Sequence, residues 1–386
     1  RSFNVDCCWI MELLLDGSIK ITSKTTGIRI STQLSVISQQ LYYKKEQELG
    51  IKYLSKAVEL QKELGLDKDL ATSLNNLALL YNSQGRYSEA EPLYIQALAL
   101  RRKLLGEEHP DVALSLNNLA LLYKSQGRYS EAEPLYIQAL ALRRKLLGEE
   151  HPDVALSLNN LAVLHESQDR YSEAEPLFVQ ALALRRKLLG EDHPDVATSL
   201  NNLASLYESQ GRYSEAEPLY RQALALRRKL LGEDHPDIAT SLNNLAHLYY
   251  SQGKYWEARP LFHQALALRC KLLGENHPDV ANSLNNLASL YKSQGKYSEA
   301  EPLFIQALDI CERKLGVNHP NTVTVRKNLA YLRDRLTSAF HVPNKNILVS
   351  NKNVPVFSEN ILVSSEKLPV LSENVSVSSE NVLVST

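Results

Sequence analysis

Leu74-Asn75-Asn76-Leu77-Ala78-Leu79-Leu80-Tyr81 is a stretch that returns, with few changes, every 42 residues along the chain. A fixed period of this length indicates stacked structural repeats. Six complete units occupy residues 71–322, and Lys327-Asn328 continues the series in a weaker form. The paired asparagines mark the other units as Asn117-Asn118, Asn159-Asn160, Asn201-Asn202, Asn243-Asn244 and Asn285-Asn286.

Each unit has the pattern of two helices. In the first unit, Leu74, Leu77, Ala78 and Tyr81 stand at positions i, i+3, i+4 and i+7, which is one face of a helix. Gly85 follows, and glycine suits the left-handed conformation in which many helices stop. The first helix is therefore predicted to end at this glycine.

The second helix of the unit begins with the pattern of a capping box. Ser88 and Glu91 are spaced so that their side chains can satisfy free amides. Pro92 falls in the same turn, where a missing N–H has little effect. Gly106 and the His109-Pro110 step then close the unit. The histidines of this step recur with the period, so they are predicted to mark helix starts and not to bind a metal.

Composition narrows the class of protein. Lys and Arg total 43 against 44 Asp and Glu, so the basic excess typical of a nucleic-acid-binding protein is missing. No apolar run approaches the ~18 residues of a membrane span. The cysteines have no spacing of a disulfide framework or zinc site, which favours a reducing, cytoplasmic location. These cysteines are Cys7, Cys8, Cys270 and Cys311.

No catalytic motif is present in the sequence. His165-Glu166 begins like a zinc-protease helix, but Asp169 stands where the second histidine is required. His165 instead belongs to a series of buried tyrosines and is predicted to pack in the core. The recurring Arg101-Arg102-Lys103 group lies at a helix end, where cations are favourable, so a role in RNA binding is not expected. We predict no enzymatic activity, no metal, no cofactor and no small-molecule substrate.

The motifs together resemble those of a known family. The series Leu-Asn-Asn-Leu-Ala-x-Leu-Tyr, Gly-(Arg/Lys)-Tyr and Glu-Ala is similar to the tetratricopeptide consensus. The 42-residue period and the linker at residues 105–111 resemble the repeats of kinesin light chains and their bacterial relatives. The resemblance implies an all-α fold, a right-handed α-solenoid of stacked antiparallel helix pairs. It also implies that protein or peptide partners bind in the concave groove.

The remaining segments complete the domain organisation. Residues 1–33 form an N-terminal segment without sustained heptads, and Ser18–Ile30 alternates as a short hairpin would. Residues 34–70 are expected to be a degenerate repeat. Residues 323–340 are expected to form a polar capping helix, and residues 341–386 a low-complexity tail.

Two positions of the first helix vary between units while the buried leucines stay constant. This variation predicts a tailored binding track on the concave face, although unconstrained drift at exposed positions is the alternative. We expect the track to include Leu79, Leu121, Lys124, Val163, Glu166, Ser205, His247, Tyr250 and Lys292.

The first asparagine of each pair is expected to face the same groove. An asparagine can both donate to and accept from a peptide backbone. The alternative is that one asparagine of each pair ties adjacent helices together. The residues concerned are Asn75, Asn117, Asn159, Asn201, Asn243 and Asn285.

The fifth unit departs most from the others. Trp256 and Arg259 replace the serine and glutamate of the expected capping box. Because tryptophan is enriched at interface hot spots, Trp256 is a candidate anchor for a partner. Ordinary packing at a repeat junction is the alternative.

Two functions follow from these patterns. The favoured one is an adaptor or scaffold that binds partner peptides in the groove. The alternative is a structural or regulatory repeat region of a larger signalling or kinesin-light-chain-like protein.

Overall fold

The computed structural model describes residues 24–43 and 47–340, and all of its regular structure within these ranges is helical. The first fourteen of the fifteen described helices form seven tandem pairs, each pair stacks on the next, and the fifteenth helix packs on the last pair. Their bounds are α1 Lys24–Tyr43, α2 Gln47–Leu64, α3 Asp67–Ser83, α4 Tyr87–Leu105, α5 Pro110–Ser125, α6 Tyr129–Leu147, α7 Pro152–Ser167, α8 Tyr171–Leu189, α9 Pro194–Ser209, α10 Tyr213–Leu231, α11 Pro236–Ser251, α12 Tyr255–Leu273, α13 Pro278–Ser293, α14 Tyr297–Leu315 and α15 Pro320–Phe340.

A shared set of apolar side chains holds the pairs together. One aromatic position in the second helix of each of the six full repeats is buried, and the leucines of the first helices pack around it. Neither helix of a pair could cover this face alone, which is why the pairs stack into a solenoid. The buried aromatic residues are Tyr94, Tyr136, Phe178, Tyr220, Phe262 and Phe304.

The loop within each repeat depends on a residue with positive φ. Gly85 adopts φ +70°, and Arg86 donates its backbone N–H to the carbonyl of Tyr81 at 2.9 Å, which closes the end of α3. In the third repeat Asp169 takes this position with φ 57°. The predicted stop of the first helix is thus confirmed.

The His-Pro step caps each first helix that follows it. His109 is the N-cap residue of α5, and its Nδ1 accepts the backbone N–H of Asp111 at 3.1 Å. The same bond recurs at His151, His193, His235 and His277. The prediction that these histidines mark helix starts is confirmed.

The predicted capping box of the second helix is wrong. Helix α4 begins at Tyr87, its N-cap residue is Arg86, and no side chain caps it. Ser88 lies inside the helix, where its hydroxyl donates to Glu89 at 2.7 Å. Trp256 and Arg259 therefore do not remove a cap from the fifth repeat, since the other repeats have none to lose.

The recurring basic group has a structural role. Arg101 is buried at the end of α4, and its Nη1 donates to Ser115 Oγ on α5 at 2.9 Å and to the carbonyl of Asp111 at 3.2 Å. Four later repeats contain the same pair of bonds. Each arginine thus joins a second helix to the next first helix.

The N-terminal expectations need correction. Residues 24–30 lie in α1, so the expected hairpin over Ser18–Ile30 is wrong for that part, and residues 18–23 lie outside the described residues. The boundary expected at residue 34 falls within α1. Two helices also begin earlier than the expected boundaries at residues 71 and 323. Helix α3 begins at Asp67, and α15 begins at Pro320. The low-complexity tail lies outside the described residues.

Candidate functional site

The first helices of the repeats form the inner side of the curved array. Consecutive first helices contact each other directly, as α3 does α5 and α9 does α11. Elements that approach each other in a curved stack lie on its concave side, so the groove is lined by first helices. The variable positions of the sequence lie on these helices.

The asparagines form a continuous ladder across the repeats. Asn118 Nδ2 donates to Asn75 Oδ1 at 3.0 Å, and the same bond joins every later pair of neighbouring repeats. The first asparagine of each unit always accepts, and the second asparagine of the next unit always donates. The alternative, that one asparagine of a pair ties adjacent helices together, is therefore confirmed: the Oδ1 atom of each first asparagine bonds the first helix of the next repeat. A contact between these asparagines and a peptide stays a prediction.

The two variable positions meet between neighbouring repeats. At three repeat boundaries the second position of one repeat contacts the first position of the next, 39 residues later in the chain. Ser205 Oγ donates to Glu166 Oε1 at 3.0 Å, and His247 Nδ1 lies 2.6 Å from Glu208 Oε1. Lys292 Nζ lies 5.1 Å from the centre of the Tyr331 ring. The structure thus brings together Glu166 with Ser205, Glu208 with His247 and Lys292 with Tyr331, while a binding role of the track stays a prediction.

Two carboxylates occupy the middle of this line. Glu166 is half-buried, and its desolvation raises the pKa of the carboxyl to about 7, in spite of the hydrogen bond from Ser205 and the charge of Lys124. The nearby charge of Glu208 also favours the protonated form. Desolvation lowers the pKa of Lys124 to about 8. The groove is thus deep enough to remove much of the water around these groups.

Glu208 is the most heavily hydrogen-bonded group of the track. Its Oε2 accepts from the Tyr220 hydroxyl at 2.9 Å, and its Oε1 accepts from Ser251 Oγ at 3.1 Å as well as facing His247. Burial disfavours the charged form of His247, but the hydrogen bond and charge of Glu208 outweigh it and raise the histidine pKa. Tyr220 contributes from a second helix, and sequence variation could not reveal it because tyrosine also fills that position in other repeats.

The two ends of the track differ in chemistry. Leu79, Leu121 and Val163 are half-buried and give the first half an apolar surface. In the second half, the Tyr250 hydroxyl lies 2.8 Å from Ser293 Oγ, and the Tyr250 ring lies 5.8 Å from that of Tyr255. A ligand bound along the whole groove would meet apolar, then acidic, then aromatic surface.

The chain matches the model of a family described as Tetratricopeptide repeat. Seven overlapping matches cover residues 39–103, 69–145, 111–187, 153–229, 210–271, 237–312 and 279–337. The chain is a tetratricopeptide repeat protein. The resemblance expected from the sequence is confirmed, and the array described above is a tetratricopeptide array. A comparison with curated proteins finds no match.

Solved structures of similar arrays include a Podosopora anserina protein assigned to the kinesin light chains, with nearly identical TPR-like repeats. It is 34% identical, over 52% of this chain and 94% of that one, with a TM-score of 0.44. BtubC (BKLC) from P. vanneervenii is 26% identical, over 66% of this chain and 94% of that one, with a TM-score of 0.45. A Rap protein complexed with Competence and Sporulation Factor is 15% identical, over 85% and 98%, with a TM-score of 0.50.

Trp256 lies apart from the groove line of the tetratricopeptide array. It stands in the first turn of α12, a second helix, and is 72% exposed. The Arg259 guanidinium carbon lies 5.0 Å from the centre of the Trp256 ring. The alternative of ordinary packing at a repeat junction is wrong, because the side chain faces solvent. Its role as an anchor stays a prediction.

The described part of the array contains no group of three or more metal-ligating side chains and no helix long and apolar enough to cross a membrane. His165 is buried in the core, as predicted. Cys270 and Cys311 form no disulfide bond. The side chains of the track offer hydrogen bonds, charge and apolar surface.

Proposed function

We propose that the tetratricopeptide array is an adaptor that holds an extended segment of a partner protein in its concave groove. The observation that carries this proposal is the track itself. Its members vary between units that are otherwise nearly identical, yet they contact each other in one line on one surface.

The chemistry of the track suggests the sequence of the partner. Apolar side chains would lie beside Leu79, Leu121 and Val163, and a basic side chain would lie beside Glu166 and Glu208. A cation there would relieve the unfavourable proximity of the two carboxylates and restore the charge that desolvation disfavours. Each ladder Oδ1 already accepts one hydrogen bond from the next repeat, and a peptide carbonyl would take its hydrogen bond from the Nδ2 groups.

A library of displayed random peptides, selected on the full chain, tests the proposal. We expect enriched peptides to carry a basic residue next to an apolar run. Leu121→Glu should weaken their binding about tenfold or more, since it places a charge in the apolar half of the groove. The fold should tolerate a polar residue at position 121, because Ser205 and His247 occupy the equivalent position in other repeats.

Ile137→Glu is the matched control. It introduces the same charge in the same repeat, at a 49%-exposed position of the second helix α6. Binding that both variants weaken equally, or that neither weakens, would contradict groove recognition. The alternative function, a structural or regulatory repeat region of a larger protein, would then be favoured.

A further inference from the structure

Two distant parts of the array touch. A Cβ atom built on Gly85, in the loop after α3, would lie 3.1 Å from His319 Cδ2 and 3.2 Å from Pro320 Cδ. His319 and Pro320 begin α15, more than five repeats later in the chain. The equivalent glycines Gly127 and Gly211 have nearly the same φ, yet nothing lies within 4 Å of a Cβ built on them.

The burial of the His-Pro steps supports this contact independently. The prolines of the first four steps are exposed, namely Pro110, Pro152, Pro194 and Pro236, whereas Pro278 and Pro320 are half-buried. The same histidine cap precedes Pro110 and Pro320, and Gly85 lies beside Pro320. Burial also lowers the pKa of His319.

The preceding repeat shows the same change in burial. The His277 side chain is 13% exposed, whereas the four earlier cap histidines are 32–39% exposed. His277 precedes His319 by one 42-residue period. The His277 backbone also differs, with φ −88° against −129° to −136° at the four earlier caps, so its lower exposure includes a local change in the linker.

The contact joins opposite rims of the array. Gly85 belongs to the rim formed by the loops within repeats, and His319 belongs to the rim formed by the linkers between repeats. A solenoid brings these rims together only when it has completed a turn about its own axis. The inner surface with the track is then enclosed over that turn.

We propose that the contact of Gly85 with His319 and Pro320 is a clasp that closes the groove into a ring, so that the partner segment enters end-on as an extended chain. A folded domain cannot reach Glu166 or Glu208 from the side of a closed turn. The claim that a partner segment occupies the ring rests on the proposed function, whereas the claim that the clasp exists does not.

Gly85→Arg tests the clasp, with Gly127→Arg as the matched control. Both substitutions place the same side chain at a left-handed position, with φ +70° and +72°, so both carry the same backbone strain. Only the arginine at position 85 meets a second turn. We expect X-ray scattering of the full chain to give a larger radius of gyration for Gly85→Arg than for Gly127→Arg. Equal values for the two would overturn the clasp.

A distance measurement tests the clasp without disturbing it. Fluorophores introduced through noncanonical amino acids at Ser83 and Asn318, both exposed, flank the contact and leave the native cysteines in place. A single population with high energy transfer is the expected result for the full chain. Low transfer would overturn the clasp, whether or not the arginine variants fold.

The end-on route is tested with a peptide selected in the library experiment. The free peptide is compared with the same peptide fused between two folded domains. The fusion should bind the native chain about tenfold or more weakly, as expected if the open form is about a tenth of the population or less, and Gly85→Arg should restore its binding. Equal binding of peptide and fusion to the native chain would overturn end-on access. Failure to select any groove-dependent peptide would overturn the proposed function and this route together, while the distance measurement still decides the clasp.

Discussion

His247 Nδ1 lies 2.6 Å from Glu208 Oε1, across the boundary between two neighbouring repeats. The glutamate raises the histidine pKa above its ordinary value of 6.5, although burial opposes this. A raised histidine pKa means that the folded chain binds the proton more tightly than the unfolded chain. The stabilisation is therefore complete below the unfolded pKa and is lost as the pH rises through the folded pKa.

His247→Ser should remove this dependence. Serine occupies the same position in the neighbouring repeats as Ser205 and Ser289, so the fold should tolerate it. We expect the variant to lose about 1–2 kcal/mol of the free energy of unfolding at pH 6 and much less at pH 8.5. Urea unfolding at both pH values measures the difference. A loss that is the same at both pH values would show that the pair is not ionised in the way that its geometry indicates.

Glu166→Gln should change the stability of the chain near neutral pH and leave it unchanged at acidic pH. The folded pKa of about 7 exceeds the ordinary value of 4.5, so the folded chain holds a proton that the unfolded chain releases. Stability is thus lost as the pH rises from 4.5 to 7. We expect the variant to exceed the native chain in stability at pH 7.5 by on the order of 1 kcal/mol, and to match it at pH 4.5.

Glu173→Gln is the control for that experiment. Glu173 is exposed, and its hydrogen bond with Arg170 lowers its pKa, so it cannot produce a loss of stability with rising pH. If the stability of Glu166→Gln and Glu173→Gln depended on pH in the same way, Glu166 would be no more desolvated in the groove than Glu173 is on the outer surface.

The asparagine ladder predicts a strong asymmetry between single and double variants. Asn160→Ala leaves Asn117 Oδ1 buried without its donor, which should cost about 1–3 kcal/mol in the free energy of unfolding. Adding Asn117→Ala should cost less than the sum of the two single effects, because both members of the bond are then removed. Denaturant unfolding of the three variants measures the coupling.

Lys327→Ala is the matched control for the ladder. Lys327 stands where the first asparagine of a unit would be, but it is exposed and begins no bond to a later repeat within the described residues. Its replacement should change stability by no more than about 0.5 kcal/mol. Purely additive ladder variants would show that the asparagines do not act as bonded pairs.

Trp256→Ala separates binding from stability. The side chain is 72% exposed, so its loss should leave the unfolding free energy within about 0.5 kcal/mol of that of the native chain. If Trp256 anchors a partner, the affinity for selected peptides that extend beyond the groove should fall by about 2 kcal/mol. Calorimetric titration measures the affinity. Unchanged affinity for every such peptide would exclude the anchor.

Much of the fold could be predicted because the period repeats each local signal several times. The leucine face, the stop at Gly85 and the cap at His109 are all local features, and the structure contains them. The capping box failed because the residues from Tyr87 onward already continue the helix, so Ser88 is not at its start. Sequence pattern alone does not distinguish a first-turn serine from a cap.

The asparagine ladder could have been predicted from the sequence. The first asparagine of a unit is needed only where a later repeat supplies a donor, and the last unit has Lys327 in its place while keeping Asn328. The contact of Gly85 with His319 left no such signal. It results from small rotations that accumulate over the whole array, and nothing near Gly85 in sequence distinguishes it from Gly127.

The contact at Gly85 also bears on how the gene can change. Nearly every unit carries the same loop glycine and the same His-Pro step, so any two units the same distance apart along the chain contain the same pair of surfaces. Unequal recombination that inserts a unit would therefore add a second contact of the same kind, one repeat further along the chain. Loss of one unit would leave the loop at Gly85 facing no linker, and the inner surface would be open to solvent along its side. The number of units, more than the sequence of any one of them, sets whether this protein is a ring or an open arc.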